Sequence, residues 1–170
     1  METQKLKNYL FSETSRLYCI LDGASVPDLP MRLYETNTPN YCLFRGELEP
    51  ELLYAAPYVA VLLPGSAFSE WVLGESSGKH WGIFAHCRHS IKEMRRHCRA
   101  LVNVYDEKGN PMVFRYYDPR VLRKFLPTCK GEELETLFGK IETLFAETED
   151  GNTLTAYSLE NGQLKQNDLV

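Results

Sequence analysis

The chain has 170 residues, 44% of them hydrophobic, which fills the core of one domain and would leave two domains thin. A formal charge of -4 argues against nonspecific nucleic-acid binding as the main task, since that needs a basic surface overall. The longest strongly apolar run, Tyr58 to Leu63, is far too short to cross a bilayer, and the first twelve residues contain no apolar signal core, so a cytoplasmic protein is expected.

In chain order, Leu6, Tyr9 and Leu10 stand at helical spacing within Glu2 to Ser12, and Leu17 to Leu21 follows as a short apolar strand closed by Asp22 and Gly23. A helix is predicted over Asp28 to Tyr34, with Pro30 in its first turn. Tyr41 to Phe44 reads as a strand, Pro50 to Ala56 as a helix, and Tyr58 to Leu63 as a strand covered on both faces. This alternation suggests β-α units. Ala67 to Glu75 reads as a helix around Phe68, Trp71 and Val72, and Trp81 to Ala85 as a strand. Ser90 and Glu93 form a capping box for a helix that turns Ile91, Met94 and Cys98 inward and Lys92, Arg95, Arg96 and Arg99 outward.

Leu101 to Tyr105 and Met112 to Tyr117 flank a turn at Asp106 to Asn110, which predicts a β-hairpin. Strand alternation would place Arg115 and Tyr117 on one face, opposite Phe114 and Tyr116. Asp118 then serves as N-cap and Pro119 as first residue of a helix with an inward face of Val121, Leu122, Phe125 and Leu126, ended by Pro127. Glu132 to Phe138 is a further short helix, Glu142 to Ala146 and Thr153 to Leu159 are strands, and residues 161–170 read as a polar, frayed tail after a domain spanning residues 1–160. The expected architecture is a mixed α+β (α/β) domain: one mixed β-sheet flanked by helices, with a β-hairpin followed by short helices near the C-terminus.

Chemistry-bearing patterns are few. Gly74 to Gly78 spells G-x-S-x-G, but a nucleophile elbow needs a strand before the serine and a helix after it, and the predicted order is reversed. No Asp lies between Ser76 and His97, the last histidine, so a serine-hydrolase triad in the elbow's order cannot be assembled. The same stretch falls short of a P-loop. His86, Cys87, His89, His97 and Cys98 lack a zinc-finger spacing and sit among five basic residues from Arg88 to Arg99, so the histidines read as surface or capping side chains, with neither metal nor other cofactor expected. Five cysteines at irregular spacing, without a C-x-x-C pair, read as reduced and structural. Two basic runs, Arg88 to Arg99 and Arg115 to Lys124, leave a basic-faced nucleic-acid module as the alternative reading.

Four stretches carry a resemblance: LDGA at Leu21 to Ala24, FRGELEPELLYAAPYVAVL at Phe44 to Leu62, GKHWGI at Gly78 to Ile83, and FRYYDPRVLRKFLPT at Phe114 to Thr128. Together they resemble the effector chaperone and adaptor family of bacterial type VI secretion, first catalogued as a domain of unknown function, over roughly Leu17 to Gly139. The resemblance implies a non-enzymatic adaptor that binds a cognate effector toxin in the cytosol and promotes its loading on the valine-glycine repeat spike protein, VgrG, with no membrane or nucleic-acid partner. The partner-binding residues it points to are Arg45, Trp71, Trp81, Arg115, Tyr117, Arg120 and Arg123. Arginine and aromatic side chains dominate interface energies. Within this set Arg115 is expected to be a structural residue, held by Glu47, Glu75 or Asp118, whereas Arg120 and Arg123 face the partner.

Overall fold

The computed structural model describes residues 3–11 and 14–169. Its elements are α1 (Thr3–Leu10), β1 (Arg16–Asp22), α2 (Leu29–Glu35), β2 (Asn40–Cys42), α3 (Pro50–Ala55), β3 (Pro57–Leu62), α4 (Ala67–Glu75), β4 (Gly82–Cys87), α5 (Ile91–Val102), β5 (Asn103–Tyr105), β6 (Pro111–Val113), α6 (Pro119–Phe125), α7 (Glu132–Phe138), β7 (Thr143–Glu147), β8 (Leu154–Glu160) and β9 (Gln163–Asp168). A 3-10 turn at Leu126–Thr128 extends α6, because Pro127 tolerates that tighter geometry. Glu2 and Ser12, the predicted ends of the first helix, lie outside the described residues.

Seven strands form one sheet in the order β2-β3-β1-β4-β7-β8-β9, and β5 and β6 form a separate hairpin. The fold is mixed α+β, as expected, but the alternation of strand and helix does not build parallel β-α units: every pairing among the described strands is antiparallel. The reason the sequence misleads is that this antiparallel sheet is covered on both faces, so its central strands carry no polar alternation. In β1, Tyr18 and Ile20 enter a core shared with Met94 and Cys98 of α5, Leu122 of α6 and Leu134 of α7. Leu17, Cys19 and Leu21 enter the opposite core with Leu10 of α1, Leu29 and Leu33 of α2 and Phe68 and Val72 of α4.

Capping chemistry fixes the helix starts that the sequence marks most clearly. Ser90 and Glu93 make the reciprocal capping box of α5. The hairpin turn closes on Asp106, whose Oδ1 accepts the N–H groups of Lys108 (2.9 Å) and Asn110 (2.8 Å) while Gly109 takes φ 82°.

The first hairpin strand begins at Asn103 instead of Leu101, because α5 runs on to Val102, and two further segments differ from expectation. β6 stops at Val113, and residues 116–117 form a turn, so Tyr116 and Tyr117 are both buried instead of lying on opposite strand faces. Residues 163–168, expected as frayed tail, are β9, paired with β8 from Glu160↔Gln163 to Thr155↔Asp168. An edge strand needs only one neighbour and keeps polar side chains outward, which is why its composition reads as a tail.

The closest backbone approach is at Gly82, where an added Cβ would sit 2.1 Å from the Ile20 carbonyl oxygen. Gly82→Ala is therefore expected to lower stability by about 3 kcal/mol, the upper part of the range for overpacking, because the obstacle is sheet backbone. Urea unfolding reads this directly, and an unchanged midpoint would contradict it.

Candidate functional site

The four stretches of the resemblance meet at the end of β1. The Asp22 backbone N–H donates to the Trp81 carbonyl at 2.8 Å and ties in the GKHWGI segment. The Gly23 N–H donates to the Ala56 carbonyl at 3.0 Å, and a Cβ on Gly23 would lie 2.3 Å from that oxygen and 2.5 Å from the Tyr54 carbonyl, so glycine is required where the end of α3 crosses. The fourth stretch arrives through Arg115, whose guanidinium donates to Asp22 Oδ2 at 2.6 Å.

Asp22 is a buried carboxylate whose remaining lone pairs accept from the Ala24 N–H (3.1 Å) and the Ser25 hydroxyl (3.0 Å). A buried charge is tolerated only when paired and hydrogen-bonded, and here both conditions hold. Asp118, also buried, caps α6 by accepting the Arg120 N–H at 2.9 Å, and it binds the Arg120 side chain through Nε (3.0 Å) and Nη2 (2.7 Å). Arg115 lies 3.6 Å from the same carboxylate. The result is an Asp22–Arg115–Asp118–Arg120 chain across the corner, with both guanidinium groups about half exposed.

Electrostatics follow from that arrangement. Burial alone would raise the Asp118 carboxyl, but the hydrogen bonds from Arg120 and the charges of Arg120 and Arg115 outweigh it and hold the group below its usual 3.8. Burial opposes the charge on Arg115 as well, yet the hydrogen bond and charge of Asp22 raise its pKa above the ordinary value. Tyr117, packed beside the pair, is pushed up to about 12 by burial and by the Asp22 charge, so it stays neutral.

The other residues singled out from sequence are placed as follows. Arg45 is exposed in the turn after β2. Trp71 is half-buried, its ring tilted against Trp81 with centroids 5.0 Å apart and carrying the Arg32 guanidinium at 5.1 Å, whereas Trp81 and Tyr117 are buried and present almost no surface. Arg123 turns back and donates to the Glu147 carbonyl, which makes it a part of the packing between α6 and β7. Arg115 is held by Asp22 first and Asp118 second, not by Glu47 or Glu75.

Two polar residues went unnoticed in the sequence. Asp22, 93 positions from Arg115, closes a strand and reads as turn chemistry. Glu147 is buried beside an acidic turn that reads as solvated, yet its carboxylate accepts the N–H groups of Gly78 (2.9 Å) and His80 (3.1 Å) and fixes the loop after α4.

The remaining patterns resolve into structural roles. Ser76 follows the last residue of α4 and precedes β4, the reverse of a nucleophile elbow. His86, expected at the surface or at a cap, is instead buried in β4 with its Nε2 bonded to the Leu10 carbonyl (2.8 Å), His97 is half-buried with its Nε2 bonded to the Leu137 carbonyl (2.9 Å), and His89 meets Glu93 (2.9 Å). Much of the basic character is spent internally: Arg88 pairs with Glu142 (2.8 Å), Arg95 covers Tyr41 (4.4 Å), and Arg99 donates to the Cys42 carbonyl (2.8 Å).

Because Arg115→Ala strands the buried Asp22 carboxylate, it is expected to cost about 2–3 kcal/mol, short of a fully buried pair since the guanidinium is half exposed. Arg120→Ala is expected to cost less, about 1 kcal/mol, because buried Asp118 keeps the backbone N–H of residue 120 and the Arg115 guanidinium at 3.6 Å. Equal losses in chemical denaturation would contradict this ranking. The depressed Asp118 pKa adds a pH signature: its contribution is complete above about 3.8 and is lost as pH falls through the lower folded value. The stability gap between the parent and Asp118→Asn is thus expected to close on acidification, and a gap constant down to the acid transition would contradict the charge-pairing account.

No curated protein and no solved structure matches the chain. A family model does match, over residues 17–136, nearly the span of the four converging stretches and well over half of the sequence. The chain belongs to the family described as a domain of unknown function, DUF4123.

Proposed function

We propose that the protein is an effector chaperone and adaptor of type VI secretion, which binds a cognate toxin in the cytoplasm and promotes its loading on the VgrG spike without catalysing a reaction. The observation that carries this reading is the convergence of the four resemblance-bearing stretches on one corner, where half-exposed arginines are held by buried aspartates. Rigid placement of half-exposed arginines suits recognition, because a pre-organised guanidinium loses little freedom on binding. Arg120, exposed and aimed by its own helix cap, is the foremost contact, and Arg115, Arg45 and Trp71 are further contacts in this reading. Tyr117, Trp81 and Arg123 serve it from within.

The nucleic-acid alternative draws on the same arginines, but Arg99 and Arg123 are engaged by backbone carbonyls and a formal charge of -4 disfavours broad phosphate binding.

Co-expression with the toxin encoded beside a spike gene, followed by co-purification, tests the proposal. The parent is expected to recover the toxin, and Arg120→Ala to recover at least about tenfold less while melting close to the parent, as for loss of an arginine anchor. Full recovery by a folded Arg120→Ala would remove this corner from the binding surface.

A further inference from the structure

Two short helices leave a large apolar surface uncovered. α3 has no buried residue, and Leu52, Leu53 and Tyr54 are 45%, 37% and 42% exposed. Across the contact between α2 and α3, Met31 is 46% and Tyr34 82% exposed. A six-residue helix has no stability of its own in water and depends on tertiary packing, yet α3 is secured mainly at its end, where the Tyr58 hydroxyl donates to the Leu53 carbonyl (3.0 Å) and Gly23 meets the Tyr54 and Ala56 carbonyls. Its apolar side chains are held out by the same β1 terminus that anchors Arg115.

The charge around this patch is mostly negative. Between residues 28 and 54 stand Asp28, Glu35, Glu47, Glu49 and Glu51, all exposed and none in an ion pair among the described residues. The stretch has two arginines, and one of them, Arg32, is laid over Trp71. The other exposed apolar group, Tyr105, Met112 and Val113 on the β5–β6 hairpin, has Glu107 and Lys108 beside it and so carries no such bias.

We propose that the α2–α3 surface is the docking site for an amphipathic helix of the cargo, whose apolar stripe is flanked by lysine or arginine. The inference rests on the cargo-binding reading above and adds to it the surface and the chemistry of the bound segment. Leucine-type side chains seat among Tyr34, Leu52 and Leu53, the helix-in-groove mode, while the basic flanks meet the unpaired carboxylates and speed association. Covering α3 supplies the packing it lacks.

The probe is a fluorescein-labelled peptide of about 18 residues, with leucines at i, i+3, i+4 and i+7 and lysines on both flanks. A counterpart carries glutamates in place of the lysines. Anisotropy with the full chain is expected to give a Kd at least about tenfold lower for the lysine peptide. The double variant Tyr34→Ala with Leu53→Ser, checked for parental melting, is expected to weaken that binding at least about tenfold, and Glu47→Gln with Glu51→Gln to narrow the preference between peptides. Equal affinity for the two peptides, or undiminished binding by the folded Tyr34/Leu53 variant, would overturn the proposal. So would a concentration-dependent dimer that the same variant dissociates, because a second copy would then cover the patch. Toxin co-purification separates the two levels: a variant that still recovers toxin refutes the surface alone, whereas a parent that recovers none refutes the cargo reading itself.

Discussion

The fold turns on one ion pair between residues far apart in sequence. Asp22 closes the central strand in a place with little access to water, so its charge has to be met by the protein. Arg115 meets it at 2.6 Å and brings the 114–128 segment to the strand end. The backbone bonds of Asp22 to Trp81 and of Gly23 to Ala56 bring the other two segments to the same point. What a family signature scatters over a hundred residues is, in space, a single junction.

The double-sided sheet gives that junction its rigidity. β1 lies between β3 and β4, and its side chains are shared between two cores, so its terminus has little freedom to move. Arg115 and Arg120 hold their heads half in water while their aspartate partners are buried, an asymmetry that fixes direction without removing the guanidinium groups from the surface. A recognition surface benefits from such anchoring, since the ordering entropy is met during folding and not during binding.

Much of the local structure was legible. Ser90 with Glu93 and Asp118 with Pro119 announce their helices because cap chemistry is read from neighbours in sequence, and α4 begins and ends where its apolar spacing does. The strands of the sheet other than β9 were legible too, but not their direction, because apolar residues on both faces are shared by parallel sheets and by this covered antiparallel one. Tyr117 was misplaced by extending strand alternation four residues past Val113, and β9 was missed because its polar outer edge hides its pairing. Asp118 was recognisable as a cap, whereas Asp22 as the partner of Arg115, and Glu147 as the anchor of the loop after α4, depend on long-range contacts that no local pattern encodes. Tyr34, Leu52 and Leu53 fall within predicted helices, and only their exposure marks them as available to a partner.

The central claim is that Asp22 and Arg115 are directly coupled and hold the junction. A double-mutant cycle on stability, with Asp22→Ala, Arg115→Ala and both together, tests it most directly. The account predicts a coupling energy above about 1 kcal/mol, as for residues in one buried hydrogen-bonded network. Additive effects, with coupling near zero, would contradict it.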